Sequence, residues 1–197
     1  YNKDQPSPWC EPAYWEMGLL EPQSWGSAKW INAQLGVEHL AAQFQLNIMQ
    51  WLWHDETDKS GVNQAAPPNV IRYFRRLFEI PSDQKVEKAQ LIMTADDECV
   101  IHLNGQKIAT KDYWQMLKVY DVTAHLRLGK NVLTVAVKNV KDRSGFIGQL
   151  KIDLAGKTGP LFVNTDSIWK SNDKEQTDWT QPGFDDSSWP AARQLGA

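Results

Sequence analysis

The sequence is poor in the features that announce most function classes. Among its 197 residues it has only two cysteines, Cys10 and Cys99. The two could pair, but they make neither a disulfide framework nor a metal knuckle. The histidines, His39, His54, His102 and His125, are scattered, and their spacing sets no ligand pair on one helix or strand. No apolar run approaches the roughly 18 residues of a membrane span. No basic run accompanies the balance of 21 Lys and Arg against 24 Asp and Glu, a net charge of −3. Neither a membrane nor a nucleic acid held by phosphate contacts is therefore expected as a partner. Catalytic signatures are missing too: there is no G-x-S-x-G elbow, Walker loop, H-E-x-x-H or C-x-x-C. Two Asp-Asp pairs occur, Asp96-Asp97 and Asp185-Asp186, yet nothing marks out two carboxyls facing each other across a sugar, as glycoside hydrolysis requires. The opening YNKDQPSPWCEPAYWEMG lacks the charged and apolar regions of a secretion signal. Its first Tyr suggests a chain cut from something longer.

What is abundant is tryptophan, with ten residues. Such a content suits a filled β core, or flat apolar surfaces on which sugars stack. Pro6, Pro8, Pro12 and Pro22 break any helix near the start, so residues 1–24 are expected to be a linker or the tail of a preceding domain, and 25–197 the folded module. Residues 25–34 read as a first edge strand. Val37, Leu40, Ala41, Phe44 and Ile48 fall at helical spacing and predict a short amphipathic helix over 37–48. After a polar loop over 54–69, the period changes to two. Strands are predicted over 73–80, 88–95, 98–103, 106–109, 117–122, 132–140, 146–154 and 160–164. Asn104-Gly105 is a type I′ hairpin signal, since both residues tolerate positive φ. The tail carries Trp169, Trp179 and Trp189 at ten-residue intervals and is expected to pack back on the sheets. With Trp51 and Trp53, these are read as core or edge-covering residues. Arg72, Arg75 and Arg76 are read as surface pairs, the acidic stretch 55–58 as solvated, and Cys99 as a reduced core residue. Together these signals define an all-β jelly-roll β-sandwich with a short helix near 37–48.

Three segments are more specific: TADDECVIHLNG at 94–105, KDYWQMLKVYDVT at 111–123 and LGKNVLTVAVKNV at 128–140. In order and spacing they resemble the galactose-binding-like β-sandwich domains at the N-terminal side of bacterial α-L-rhamnosidases. The resemblance extends outward through EMGLLEPQSWGSAKWI at 16–31, WLWHDE at 51–56 and APPNVIRYFRRLFEIP at 66–81. It closes on NTDSIWKSN at 164–172 and PGFDDSSWPAA at 182–192. In the rhamnose-binding members, an acidic residue followed by Asn or a similar oxygen donor stands where Asp96-Asp97 stands here. That pair holds a calcium ion, and the sugar hydroxyls complete its shell. A tryptophan in the next loop stacks on the sugar, and the matching position is Trp114, beside Tyr113. Calcium chemistry agrees, because the ion takes six to eight oxygens and adjacent acids at a strand end can supply some of them. Asn139 reaches the same rim if the strand 132–138 neighbours 88–95. The departure is Asp97, where the pattern usually has Asn. The second carboxylate favours calcium by charge but removes an amide donor.

The resemblance thus implies a non-catalytic carbohydrate-binding module of a larger glycoside hydrolase. Its ligand would be a terminal L-rhamnose or a related sugar, held by Asp96, Asp97, Trp114, Tyr113 and Asn139 with calcium on Asp96 and Asp97. The parent's catalytic domain would be its partner, and the location secreted or periplasmic. Two other readings stay open on the sequence. One is a spacer domain that binds no ligand, and the other, ranked last, is an enzyme in its own right.

Overall fold

In the computed structural model the described residues are 43–57, 65–111, 118–141 and 143–196. They form two antiparallel sheets laid face to face. One contains β1 (Trp51–Trp53), β3 (Val86–Asp96), β6 (Lys118–Asp121), β8 (Gly145–Leu154), β9 (Leu161–Asn164) and β11 (Arg193–Gly196). Its order is β11-β1-β8-β3-β6, with β9 also pairing β8. The other contains β2 (Val70–Ile80), β4 (Glu98–Leu103), β5 (Gln106–Lys111), β7 (Gly129–Asn139) and β10 (Lys170–Asn172), in the order β10-β2-β7-β4-β5. This is the β-sandwich expected, and the strand starts and ends agree with the alternation to within a few residues. The Asn104-Gly105 turn has φ of 53° and 81°, as a type I′ hairpin demands.

Alternation explains the interior. From β2 come Phe74, Phe78 and Ile80, from β3 Leu91 and Met93, from β7 Leu133, Val135 and Val137, and from β8 Phe146, Leu150 and Ile152, all in one buried cluster. Burial of this apolar area is the main drive for stacking the sheets. An aromatic chain crosses it: Trp53 to Phe74 at 5.9 Å between ring centroids, Phe74 to Phe146 at 4.6 Å, and Phe146 to Trp169 at 5.1 Å.

Strand β7 is buried at Val132 and Thr134 on its second face as well, because the C-terminal tail folds across the outside of the five-stranded sheet. Trp179 and Trp189 stack there at 6.4 Å and 22°, with Tyr73 edge-on to Trp179 at 5.2 Å. The tail lies directly on the hairpin, since a Cβ on Gly105 would collide with the Gln181 side-chain amide. Beneath it is Arg75, whose side chain has no exposed surface. Its Nε donates to Asp186 Oδ2 at 3.1 Å, Nη1 to the carbonyls of Trp179 and Gln181, and Nη2 to that of Phe184. Lys170 Nζ donates to Asp186 Oδ1 at 3.0 Å.

This corrects the reading of the three arginines as surface pairs. A half-buried strand becomes doubly covered once the tail is down, and Arg75 is enclosed with it. Arg72 forms a fork with Glu56, at 2.7 Å from Nε to Oε1 and 2.9 Å from Nη2 to Oε2. Glu56 is therefore a mostly buried partner and not a solvated loop acid. Arg76 donates to Asp166 at 3.4 Å.

The helix expected over 37–48 is also corrected in its described part. Past Gln43 the chain forms only a 3-10 turn, Leu46–Ile48. Phe44 is buried while Ile48 is 42% exposed, so the two share no buried face. The main chain is taken instead by a side chain: Gln45 N donates to Gln149 Oε1 at 2.8 Å, and Gln149 Nε2 to Gln45 O at 3.3 Å. The linker 1–24, the edge strand 25–34 and the rest of that helix lie outside the described residues, as does Cys10. Cys99 is a free, buried thiol.

Two predictions follow from the tail. Replacing Arg75 by Met strips Asp186 and three carbonyls of a shared donor and is expected to cost about 3 kcal/mol, read as a lower urea midpoint at unchanged slope. The second concerns pH. His54 Nδ1 shares a hydrogen bond of 3.0 Å with the Ser171 hydroxyl, and His102 lies edge-on to Trp179 at 6.3 Å. Burial is the largest effect on both and lowers their pKa, against the opposing pull of Glu56 on His54 and of Glu175 on His102. Above the unfolded value of about 6.5, both histidines are neutral in both states and the tail is fully stable. As pH falls below that value toward the lower folded pKa values, the unfolded chain takes up protons first and stability is lost. The melting temperature should drop between about pH 7 and pH 5, and the drop should be smaller in His54→Asn than in the parent chain.

Candidate functional site

Among the described residues, the two sheets are joined at one end by a crossing of a single residue. β3 ends at Asp96 in the six-stranded sheet and β4 begins at Glu98 in the five-stranded one, so Asp97 alone spans the gap. The Asp96–Asp97 peptide is cis, and both side chains are half-buried. Asp97 N donates to Lys138 O at 3.2 Å. Its Oδ2 accepts from Val140 N at 2.6 Å and Lys141 N at 3.3 Å. One carboxylate oxygen is thus tied to the turn that follows β7, and Oδ1 takes no part in those bonds. Asp96 stands opposite Gly145, the first residue of β8.

Asn139 comes to the same end of the sandwich, but not by the route expected. Strand β7 lies between β2 and β4 and does not neighbour β3; the register Glu98↔Lys138 brings it to the crossing instead. The Asn139 side chain is fully buried and donates to Pro67 O at 2.9 Å and Ala66 O at 3.4 Å. It seals the segment leading into β2. Its Oδ1 is buried and has no hydrogen bond among the described residues. Tyr113 and Trp114 lie outside the described residues.

Two neighbours were not singled out by sequence reasoning. Lys111, the last residue of β5, is only 7% exposed, with Nζ 3.5 Å from Thr94 Oγ1. An ammonium group placed there adds positive charge to the end that carries Asp96 and Asp97. The hairpin signal predicts a returning strand over 106–109 that stops short of Lys111, and a lysine ending a strand is ordinarily read as exposed. Glu98 pairs with Lys138 at 3.0 Å on the surface. Cys99 follows directly, and burial pushes its thiol up to about 12, so it is an inert core residue and not a nucleophile.

The donor set defines which ions could bind. Among the described residues, no three His, Cys, Asp or Glu side chains gather as a metal cluster. Asp96 and Asp97 offer carboxylate oxygens only. They fit a hard cation such as calcium, completed by carbonyls, water or ligand hydroxyls, and not a zinc site. The other acidic pair is structural: Asp186 faces Arg75, and Asp185 accepts from Ser187 N at 2.9 Å, which lowers its pKa.

The architecture is that of lectin-like β-sandwiches. A lectin from Pleurotus ostreatus superposes over 77% of this chain and 44% of its own, with a TM-score of 0.66 at 21% identity, a likeness of fold. The α-L-rhamnosidase of Streptomyces avermitilis, solved in complex with L-rhamnose, superposes over 77% of this chain and 15% of its own, with a TM-score of 0.67 at 32% identity. In sequence, the Streptomyces avermitilis α-L-rhamnosidase is 34% identical over 199 residues, which is 97% of this chain and 18% of the relative. An α-L-rhamnosidase of Formosa agariphila is 25% identical over 98% of this chain and 24% of its own length. No family model matches. The chain is a homologue of one β-sandwich segment of α-L-rhamnosidases, and it spans under a quarter of the length of these curated relatives.

If the Asp97 carboxylate fastens the crossing to the β7–β8 turn, Asp97→Ala should lower stability by about 1–3 kcal/mol. Asp97→Asn, which keeps an acceptor oxygen, should lose less than half of that. Urea unfolding of the two variants side by side checks the order.

Proposed function

We propose that this chain is a non-catalytic carbohydrate-binding module of a larger, α-L-rhamnosidase-like glycoside hydrolase. Its ligand is a terminal sugar, L-rhamnose for preference, held at the β3–β4 crossing. The observation that carries this reading is homology along nearly the whole chain to an enzyme solved with L-rhamnose, together with two half-exposed acids at the one-residue step between sheets. Asp96 and Asp97 would hold calcium, which when bound supplies a cationic centre that draws in vicinal hydroxyls. Asp97 is oriented for this by the amides of Val140 and Lys141, which fix its carboxylate before any ligand arrives. With Asp in place of Asn, this position accepts hydrogen bonds and donates none, so recognition favours sugar hydroxyls turned to donate. Trp114, with Tyr113 beside it, would cover the apolar face of the ring. Hydrolysis belongs to the parent's catalytic domain, the partner of this module, and the setting is secreted or periplasmic.

A spacer that binds no sugar is the second reading. Its specific support is that Asp97 and Asn139 both have structural duties, one closing a turn and the other sealing the segment before β2.

Calorimetric titration of L-rhamnose into the chain separates the two. Heat is expected with calcium and should vanish after EDTA, and Trp114→Ala should weaken binding by roughly tenfold or more. Silence in both runs, with L-fucose and galacturonate also silent, would favour the spacer. Turnover of an aryl rhamnoside by the purified chain would overturn the non-catalytic reading.

A further inference from the structure

The outer face of the five-stranded sheet is only partly covered by the tail. Where cover stops, a cleft of about 730 Å³ opens, within the range of small-molecule sites. Its floor is the sheet itself: Ile71 and Tyr73 from β2, Ala136 from β7, and Val100 and His102 from β4. The register sets these side by side, with Tyr73 opposite Ala136 and Val100 opposite the same alanine from the other strand. The wall is the tail segment 175–180, which presents Glu175, Gln176, Thr177, Asp178 and Thr180 around the buried Trp179.

This wall is built and not draped. Trp179 Nε1 donates to Glu175 Oε1 at 3.3 Å, which orients the carboxylate. The Trp179 carbonyl is held by Arg75. Asp178 sits in the left-handed region at φ 60°, and its carbonyl accepts from Gln181 N at 2.8 Å. On the floor, His102 Nδ1 is shielded and without a hydrogen bond among the described residues. Burial lowers the pKa of this ring.

The lining selects a ligand class. A wholly apolar molecule would strand the polar groups of the wall. A polyanion would face Glu175 and Asp178 with no compensating arginine among the lining residues. An extended peptide adding to a sheet needs a strand edge, and this is a sheet face. An oligosaccharide meets all three conditions, having C–H faces for Ile71, Val100 and Ala136 and hydroxyls for the wall. The volume exceeds that of one pyranose ring. We propose that this cleft is a second saccharide subsite, independent of calcium, that takes a neutral oligosaccharide of two or more rings. For its ligand class the inference rests on the carbohydrate-binding reading above, but it uses none of the residues at the β3–β4 crossing.

The test is a titration of the isotope-labelled chain, followed by NMR in EDTA, with cellotetraose, xylotetraose, mannotetraose and tetragalacturonate up to about 10 mM. At least one neutral tetrasaccharide should shift the amides of Tyr73, Val100, His102 and 175–180. Tetragalacturonate should not. Glu175→Gln keeps an acceptor for Trp179, and Asp178→Asn suits the left-handed backbone, so both variants should fold. Each should weaken binding roughly tenfold, while Asp97→Ala should leave it unchanged. No shift from any neutral sugar, equal shifts from tetragalacturonate, or insensitivity to both cleft variants would overturn the proposal. Shifts confined to 96–98 and 138–141 would also overturn it, while leaving the crossing as a sugar site.

Discussion

The guanidinium of Arg75 is the contact on which the outer half of this molecule depends. It leaves β2 on the face that would otherwise meet water and gathers Asp186 with the carbonyls of Trp179, Gln181 and Phe184. Burial lowers its pKa from the ordinary arginine value, and the hydrogen bond and charge of Asp186 oppose that shift. A buried charge of this kind is costly unless every donor is used, and here the tail supplies the acceptors. One interaction therefore converts a two-layer sandwich into a three-layer one. It buries the Trp179–Trp189 stack, covers the Asn104-Gly105 hairpin, and sets the wall of the outer cleft.

At the β3–β4 crossing, economy of chain does similar work. Passing between sheets in one residue leaves Asp97 no freedom to wander, and its carboxylate is used to hold the turn after β7. A carboxylate fixed in this way is suited to an ion or a sugar because little ordering remains to be done on binding. The same fixation is what a spacer would need. Both readings therefore lean on Asp97, and ligand binding is the property that divides them.

Much of this was legible in the sequence, and the reasons are local. Alternation over 98–103 and 132–140, and the Asn104-Gly105 turn, reflect backbone sterics and one-sided burial, which short windows record. The tail tryptophans were readable as packing residues because nothing in a solvated linker calls for them. Arg75 was not readable. Its neighbours Arg72 and Arg76 look the same in a window, and only the long-range return of residues 179–186 encloses one of the three. The segment before β1 failed for the same reason: the amide of Gln149, about a hundred positions away, captures the main chain of Gln45 where the spacing suggested a continuing helix. At the crossing, the acids were visible as a pair, but the capture of Asp97 by the 140–141 amides depends on the β4–β7 register. Asn139 was expected beside β3 and arrives through β4, because sheet membership is a property of topology and not of any one strand.

A crystal structure of the chain grown with calcium and L-rhamnose tests the β3–β4 crossing as a sugar site most directly. The account predicts an ion bonded to carboxylate oxygens of Asp96 and Asp97 at about 2.3–2.6 Å, with sugar hydroxyls in its shell and the Trp114 ring against the sugar. A well-ordered crossing with neither ion nor sugar, and the same hydrogen bonds from Asp97 to Val140 and Lys141, would contradict it.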